Sequence, residues 1–104
     1  MVDSVPLNCL VGKAVTVAET VHDYVQLSFG PDTGLSIYND FWIAPEARPR
    51  DLVGQRVIAV DSTINEALIR FEGSSLTVDL RPSAFHGPEA MQLHRDGHDP
   101  IIWS

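Results

Sequence analysis

The feature that most constrains the fold of this chain is an internal repeat. The tripeptide Leu10-Val11-Gly12 recurs as Leu52-Val53-Gly54, so that position 10 maps to position 52, a shift of 42 residues. At the same shift Phe29 falls on Phe71, and apolar and polar residues alternate between these anchors in both copies. When one residue is dropped from the second copy, the correspondence extends into a further apolar segment. This pattern indicates that one small structural unit occurs twice in the chain.

Each copy shows the two-residue periodicity of β-strands. In the clearest segment Val25, Leu27 and Phe29 lie on one side and polar residues lie on the other, which is typical of a strand with one buried face. The Gly-Pro-Asp-Thr-Gly segment at 30–34 predicts a turn, because proline lacks a backbone donor and glycine tolerates positive φ. The predicted strands cover residues 14–20, 24–29 and 35–38 in the first copy and 57–60, 67–71 and 76–80 in the second.

These strands predict a mainly β fold with two three-stranded antiparallel meanders, related by a pseudo-twofold axis and forming a small barrel or sandwich. We expect a single domain over residues 1–104, with repeat unit one at about 10–43, repeat unit two at about 52–85 and a C-terminal extension over 86–104. Segment 44–50 contains two prolines and three charged residues and is too short to separate independent domains. The apolar run at 57–60 indicates a strand that is either more central in the sheet or covered on both faces.

The C-terminal extension is compatible with two structures. Pro88 at the first position of a helix, followed by Glu89, would begin a short helix that ends near Arg95. Alternatively, strands at 90–94 and 101–103 would form a hairpin around the Asp96-Gly97 pair, which is a strong turn signal. The alternation of Met91 and Leu93 favours the hairpin.

The charge of the chain bears on its partners and its compartment. Seven Lys and Arg residues against fourteen Asp and Glu residues give a formal net charge of −7. Nucleic-acid binding needs clustered basic residues, so this composition argues against such a partner. The acidic surface either serves solubility alone or steers a basic protein partner toward the chain. Cys9 is the single cysteine, so no internal disulfide can form, which fits a reducing cytoplasm. We expect a soluble cytoplasmic protein without a membrane partner, because no apolar run is long enough for a signal peptide or a bilayer span.

The sequence contains no recognisable catalytic or phosphate-binding motif, and it predicts a non-catalytic domain without a cofactor. Gly-x-Ser-x-Gly, Gly-x-Gly-x-x-Gly and Walker-type loops are all absent from it. His94 and His98 have the spacing of two ligands on one helix face, but the Asp-Gly pair between them breaks a helix. Weak candidates for a metal site that loops could assemble are His86, His94, His98 and Asp99.

The aromatic segment at 38–43 is the strongest candidate for a binding surface. Alternation places Phe41 and Ile43 on one side of a strand and Trp42 on the other. Trp42 either forms an exposed patch with Tyr38, or packs across the sheet edge or under the proline-containing loop that follows. The candidate partner-binding residues are Tyr24, Tyr38, Asp40, Phe41 and Trp42.

Four short motifs carry a resemblance to known proteins. They are the repeated Leu-Val-Gly, Leu76-x-Val78-Asp79-Leu80, Gly87-Pro88-Glu89-Ala90 and the terminal Ile101-Ile102-Trp103. Together they resemble small bacterial β-rich proteins of unknown function, and chains of this size and type are also similar to immunity proteins of polymorphic toxin systems. The resemblance implies a compact β-rich cytoplasmic protein, and it supplies no catalytic residues.

Three hypotheses for function follow. The first is a protein-binding domain, such as an immunity-type inhibitor whose acidic surface complements a basic toxin. The second is a small-ligand-binding domain with a pocket between the meanders, near the pseudo-twofold axis. The third is a self-associating structural protein, in which edge strands or Trp42 form a homodimer.

Overall fold

The computed structural model describes residues 5–84 and 89–103, in which strands dominate. A short helix, α1 (Val5–Asn8), precedes the first strand, and 3-10 turns occupy Pro49–Leu52 and Pro82–Ala84. No helix in this part of the chain is long and apolar enough to cross a bilayer. The strands are β1 (Val17–Val21), β2 (Tyr24–Ser28), β3 (Thr33–Ile37), β4 (Phe41–Ala44), β5 (Val57–Ser62), β6 (Glu66–Phe71), β7 (Ser75–Asp79), β8 (Met91–Arg95) and β9 (Ile101–Trp103).

The strands form two antiparallel sheets. The first sheet has the strand order β1-β2-β3-β8-β9, and the second has the order β4-β7-β6-β5. Each sheet contains one of the predicted three-stranded meanders, β1-β2-β3 in the first and β5-β6-β7 in the second. The predicted mainly β class with two meanders is therefore confirmed, and of the two predicted arrangements the described chain adopts the sandwich-like one.

The two halves of the chain exchange a strand, which the sequence pattern did not predict. After the first meander, β4 crosses to the second sheet and pairs with β7, with Phe41 opposite Val78. After the second meander, β8 crosses to the first sheet and pairs with β3, with Ile37 opposite Met91. Each meander is thus extended by the strand that follows the other meander, β4 at the end of repeat unit one and β8 in the C-terminal extension, and this exchange joins both copies around one core.

Backbone hydrogen bonds near the pseudo-twofold axis repeat with the sequence shift of 42. The amide of Gly12 donates to the carbonyl of Val57 at 2.8 Å, and the amide of Gly54 donates to the carbonyl of Val15 at 2.8 Å. The two donors, Gly12 and Gly54, are 42 residues apart, and the two acceptors, Val15 and Val57, are also 42 residues apart. Between these bonds lies an isolated antiparallel bridge that pairs residue 14 with residue 56, which are themselves 42 apart. The local axis therefore passes through this bridge.

The repeated Leu-Val-Gly tripeptide is a turn with a separate role for each residue. Leu10 and Leu52 are buried in the core, whereas Val11 and Val53 are 45% and 46% exposed. Gly12 and its counterpart in the second copy have φ values of +89° and +91°, a region in which glycine is favoured because it lacks Cβ. The tripeptide recurs because both copies need the same turn before their first strand.

Alternation along the strands produces the core between the sheets. The buried apolar side chains come from the inner faces of β2, β3 and β8 on one side and of β6 and β7 on the other. The largest fully buried side chains in the described residues are Phe29, Phe71, Leu7, Leu10, Leu27, Leu35, Ile37, Leu52, Ile69, Leu76, Met91 and Leu93. Both aromatic anchors of the repeat thus lie in the shared core.

Two expectations about individual strands were wrong. The apolar run at 57–60 was expected to be a more central or a doubly covered strand, but β5 is an edge strand and Ile58 is 52% exposed. A register shift between Val57 and Ala59 accompanies this edge position. The first strand was expected to begin at residue 14, but β1 begins at Val17 because Ala14 forms the bridge to the second copy.

The C-terminal extension forms the hairpin that was favoured over the helix. Strand β8 pairs with β9, and the amide of His98 closes the turn on the carbonyl of Arg95 at 3.1 Å. Gly97 supplies the positive φ, +79°, that this turn requires. Pro88, at which the alternative helix would begin, lies outside the described residues.

Candidate functional site

Tyr24 and Tyr38 lie side by side on the outer face of the first sheet. Tyr24 begins β2 and Tyr38 follows β3, and the neighbouring pair Val25 and Ile37 faces the core. The two ring centroids are 5.1 Å apart with the planes tilted by 43°. The Tyr38 hydroxyl donates to Oε1 of Gln92 on β8 at 3.3 Å. Both rings are partly buried, and their contact holds β2 against β3.

Trp42 lies on the outer face of the second sheet. It occupies the middle of the edge strand β4, opposite Thr77 of β7. Ile43 is buried and Phe41 packs against the core, so the predicted alternation along this strand is confirmed. Trp42 points the other way and is 49% exposed. An exposed indole on an edge strand is a typical anchor for a binding partner.

The five candidate residues therefore occupy more than one surface. Tyr24 and Tyr38 lie on the first sheet and Trp42 lies on the second, so Tyr38 and Trp42 do not form the single exposed patch that was one of the two alternatives for Trp42. Phe41 contributes mainly to the core. Asp40 is exposed at the crossover between the sheets, where its backbone carbonyl accepts a hydrogen bond from the amide of Asp79 at 2.9 Å.

A surface cleft borders the indole of Trp42. It has a volume of about 300 Å³ and is lined by Trp42, Asn65, Glu66, Asp79 and Arg81; we term it the Trp42 cleft. Asn65 ends the turn before β6 and Glu66 begins β6. Asp79 ends β7, and Arg81 lies two residues beyond it. Glu66 lies directly opposite Asp79 in the β6–β7 pair. Three strands thus bring one aromatic and three charged side chains together.

Asp79 and Arg81 form a multiply hydrogen-bonded ion pair in this cleft. The guanidinium Nη2 of Arg81 is 2.6 Å from Oδ2 of Asp79, and Nε is 2.9 Å from Oδ1. The backbone amide of Arg81 also donates to Oδ1 at 3.0 Å. These donors lower the pKa of Asp79 to about 2, first through the side-chain bonds and then through the backbone bond, while burial acts in the opposite direction. The ion pair thus fixes both residues at the edge of the cleft.

The Arg81 guanidinium is held as a cation by the same contacts. The bond to Asp79 raises the pKa of Arg81 above its ordinary value, and the charge of Glu66 adds to this effect. The Arg81 side chain is 60% exposed, whereas that of Asp79 is 8% exposed. Arg81 therefore covers the aspartate and presents the outer side of the pair to solvent.

Backbone and amide hydrogen bonds fix the residues that carry the cleft. The amide of Leu80 donates to the carbonyl of Asn65 at 2.8 Å, which joins the end of β7 to the turn before β6. Nδ2 of the buried Asn39 donates to the carbonyl of Asp79 at 2.7 Å. These bonds connect the residues that line the cleft to the hydrogen-bonded end of the second sheet.

The pseudo-twofold axis relates the cleft to the tyrosine pair of the first sheet. Tyr24 maps to Glu66 at a shift of 42, and Tyr38 maps to Asp79 at a shift of 41, which allows for the residue missing from the second copy. Gln92, which is opposite Ser36, takes the place of Trp42. Equivalent positions therefore carry an aromatic pair on one sheet and a charged group beside an indole on the other. The duplicated surfaces have acquired different chemistry.

Sequence reasoning placed Trp42 on an outward face but missed the other lining residues of the cleft. Asp79 and Arg81 are two positions apart, a spacing that puts alternate residues of an extended segment on one side. This two-residue spacing was the one feature of the sequence that could have indicated an ion pair between Asp79 and Arg81. Glu66 could be brought to Asp79 only by the pairing of β6 with β7, which is a long-range contact.

The weak metal-site candidates lie at the hairpin end of the first sheet. His94 is in β8, and His98 and Asp99 are exposed in and after the β8–β9 turn. His86 lies outside the described residues. Within residues 5–84 and 89–103, no group of three or more His, Cys, Asp or Glu side chains is placed to hold a metal ion.

Comparison of the chain with protein-family models, curated proteins and solved structures gives no match.

Proposed function

We propose that this chain is a protein-binding domain that engages a basic partner through the outer face of the second sheet, around Trp42. The observation that carries the proposal is the half-exposed indole of Trp42 on an edge strand, beside the charged cleft. In protein interfaces a few residues carry most of the binding energy, and tryptophan is enriched among them. Burial of this indole would supply such an anchor.

The charge of the chain supports a basic partner. The formal net charge is −7, and the acidic residues Asp40, Asp61 and Glu66 are exposed on or beside the same sheet. A negative potential attracts a basic surface during diffusional encounter and speeds association at low salt. An immunity-type inhibitor of a basic toxin in the cytoplasm of a bacterium needs an acidic surface of this kind. The resemblance of the chain to such proteins supports the same proposal.

Site-specific photo-cross-linking tests the proposal. A photoreactive phenylalanine analogue is placed at Trp42 in one variant and at Gln92 in a matched control, since Gln92 is the equivalent position on the other sheet. We expect position 42 to trap a basic protein in the source cells and position 92 not to trap it. A product with a second copy of the chain alone would instead support self-association, and equal trapping at both positions would contradict the proposed surface.

The trapped protein is then purified and its affinity measured directly. We expect Trp42→Ala to weaken binding by about tenfold or more, which is the effect of losing an interface anchor. We expect Gln92→Ala to leave the affinity unchanged. Raising the salt concentration should slow association of the unmodified chain, and an association rate independent of salt would contradict the electrostatic part of the proposal.

A further inference from the structure

We infer that the Trp42 cleft binds the guanidinium group of an arginine side chain on the partner, an inference that rests on the proposed function. The group would stack on the indole of Trp42 and pair with the carboxylate of Glu66. These two side chains line the same cleft of about 300 Å³. Arginine is enriched at protein interfaces, and its planar guanidinium both stacks on aromatic rings and hydrogen-bonds to carboxylates.

The charges of the cleft define a site for a cation. Asp79 and Arg81 neutralise each other through their hydrogen-bonded pair. Asn65 carries no charge, so the carboxylate of Glu66 leaves the cleft with one net negative charge. A cationic side chain entering the cleft would complete the charge balance, whereas an anion would meet Glu66 and an arginine already bonded to Asp79.

The Trp42 side chain is 49% exposed, so part of its indole is open to such a cation. Among residues 5–84 and 89–103, the one aromatic or cation–π contact is that between Tyr24 and Tyr38. No arginine or lysine of these residues therefore stacks on the Trp42 ring. Arg81 lines the same cleft but bonds to Asp79 through Nε and Nη2. A cation stacked on the face of an exposed indole is stabilised by the ring quadrupole.

The strand order gives the cleft the width of a side chain. Trp42 lies on β4 and Glu66 on β6, with β7 between them. Adjacent strands are about 4.8 Å apart, so the strands that carry the two side chains are about 10 Å apart. Trp42 is level with Thr77 and Glu66 is level with Asp79, so the two side chains are also offset by two residues, about 7 Å, along the strands. Asp79, at the end of the intervening strand, forms the base of the space and is covered by its own ion pair. An arginine side chain can therefore enter between the indole and the carboxylate.

Titration with short peptides tests this inference on the intact chain. The probes are acetyl-Gly-Arg-Gly-amide, its lysine analogue and its citrulline analogue, which keeps the shape of arginine without the charge. The signal is the indole N–H resonance of Trp42 in NMR spectra, assigned by comparison with Trp103→Phe. We expect saturable shifts with the arginine peptide, weaker binding of the lysine peptide and no binding of the citrulline peptide.

Matched charge variants separate the cleft from bulk electrostatics. We expect Glu66→Gln to weaken binding of the arginine peptide by about two- to fivefold, the range of an exposed ion pair or cation–π contact. Glu19→Gln removes the same charge from an exposed site on the outer face of the first sheet, and we expect it to leave binding unchanged. Trp42→Leu should weaken binding by a similar factor while the thermal unfolding midpoint shows that the variant is folded.

The outcomes distinguish this inference from the proposed function. Equal weakening by Glu66→Gln and Glu19→Gln, or equal binding of the citrulline peptide, would overturn the arginine site. If position 42 still traps a basic protein in that case, the proposed function stands without this site. If the arginine peptide binds at the cleft but no basic protein is trapped, the site stands and the proposed function fails.

Discussion

The pair of Asp79 and Arg81 makes stability depend on pH in a defined range. The pKa of Asp79 is about 2 in the folded chain, below its ordinary value of 3.8. Because the folded state holds the proton less tightly than the unfolded state, the pair stabilises the fold above about pH 3.8. This contribution is lost as the pH falls from about 3.8 to about 2. We expect the urea midpoint of the unmodified chain to fall across this interval.

Substitutions at the pair provide the check. In Arg81→Gln the pKa of Asp79, measured from its carboxyl carbon resonance, should rise toward 3.8, because the main donors are removed. Arg70→Gln removes an arginine from the same face of the sheet and should leave the pKa of Asp79 low. An unchanged pKa in Arg81→Gln would contradict the assigned cause.

The two glycines of the repeated tripeptide should have equal effects on stability. Gly12 and Gly54 have φ values of +89° and +91°, so a Cβ at either position is strained even though no atom crowds it. We expect Gly12→Ala and Gly54→Ala each to lower the free energy of unfolding by about 1–2 kcal/mol. Chemical denaturation measures both values.

Gly34→Ala is the control for this prediction. Gly34 lies in β3 without a positive φ, and its Cβ would meet the carbonyl of Leu27 at an ordinary distance of 3.6 Å. We expect this substitution not to lower stability, since alanine restricts the unfolded chain more than glycine does. Clearly unequal losses at the two turn glycines would contradict the local pseudo-twofold symmetry.

At the level of strands, two isoleucines on adjacent strands differ in how far they are buried. Ile58 lies on the edge strand β5 and is 52% exposed, whereas Ile69 lies on β6 and is fully buried. We expect Ile69→Ala to lower the free energy of unfolding by about 2–5 kcal/mol, because it leaves a cavity in the core. Ile58→Ala should lower it by less than about 1 kcal/mol. A similar loss for both variants, measured by denaturation, would support the central position that the apolar run had suggested.

The contrast between local and long-range order explains what the sequence could predict. The meanders were predictable because alternation and turn residues, such as those at 30–34, act over a few positions. The outward direction of Trp42 followed from the same alternation. Its exposure did not follow, because it depends on which segments cover β4. The edge position of Ile58 was missed because an apolar residue on an edge strand has the same sequence pattern as one in a central strand.

The exchange of β4 and β8 was beyond sequence reasoning for a related reason. Alternation gives the side of a strand that is buried, but it does not give the neighbour with which the strand pairs. Phe41 could have packed with its own meander or with the other one. Burial of a shared core favours packing of Phe41 with the other meander. The Trp42 cleft depends on this packing, because the exchange brings β4 to β7.

For the whole molecule, the exchange predicts that the two copies depend on each other for folding. The chain can be divided between Pro45 and Glu46, which are both exposed in the loop after β4. The first fragment then contains β1 to β4 and the second contains β5 to β9. In isolation, β4 lacks β7 and β3 lacks β8, so each fragment exposes apolar surface that the other covers. The fragments have 45 and 59 residues, a size at which a hydrophobic core alone is marginal.

Mixing the two fragments should therefore restore the fold as a one-to-one complex. We expect each fragment alone to show no cooperative thermal unfolding, and the mixture to recover the amide NMR spectrum of the intact chain. The unfolding midpoint of the complex should rise with fragment concentration, because association and folding are coupled. Trp42→Leu in the first fragment should leave assembly intact, since the indole is outside the core, whereas Ile43→Asp should prevent it, since that side chain is buried against the second fragment's sheet. Cooperative unfolding of either fragment alone as a monomer would show that a meander is stable without the exchanged strand.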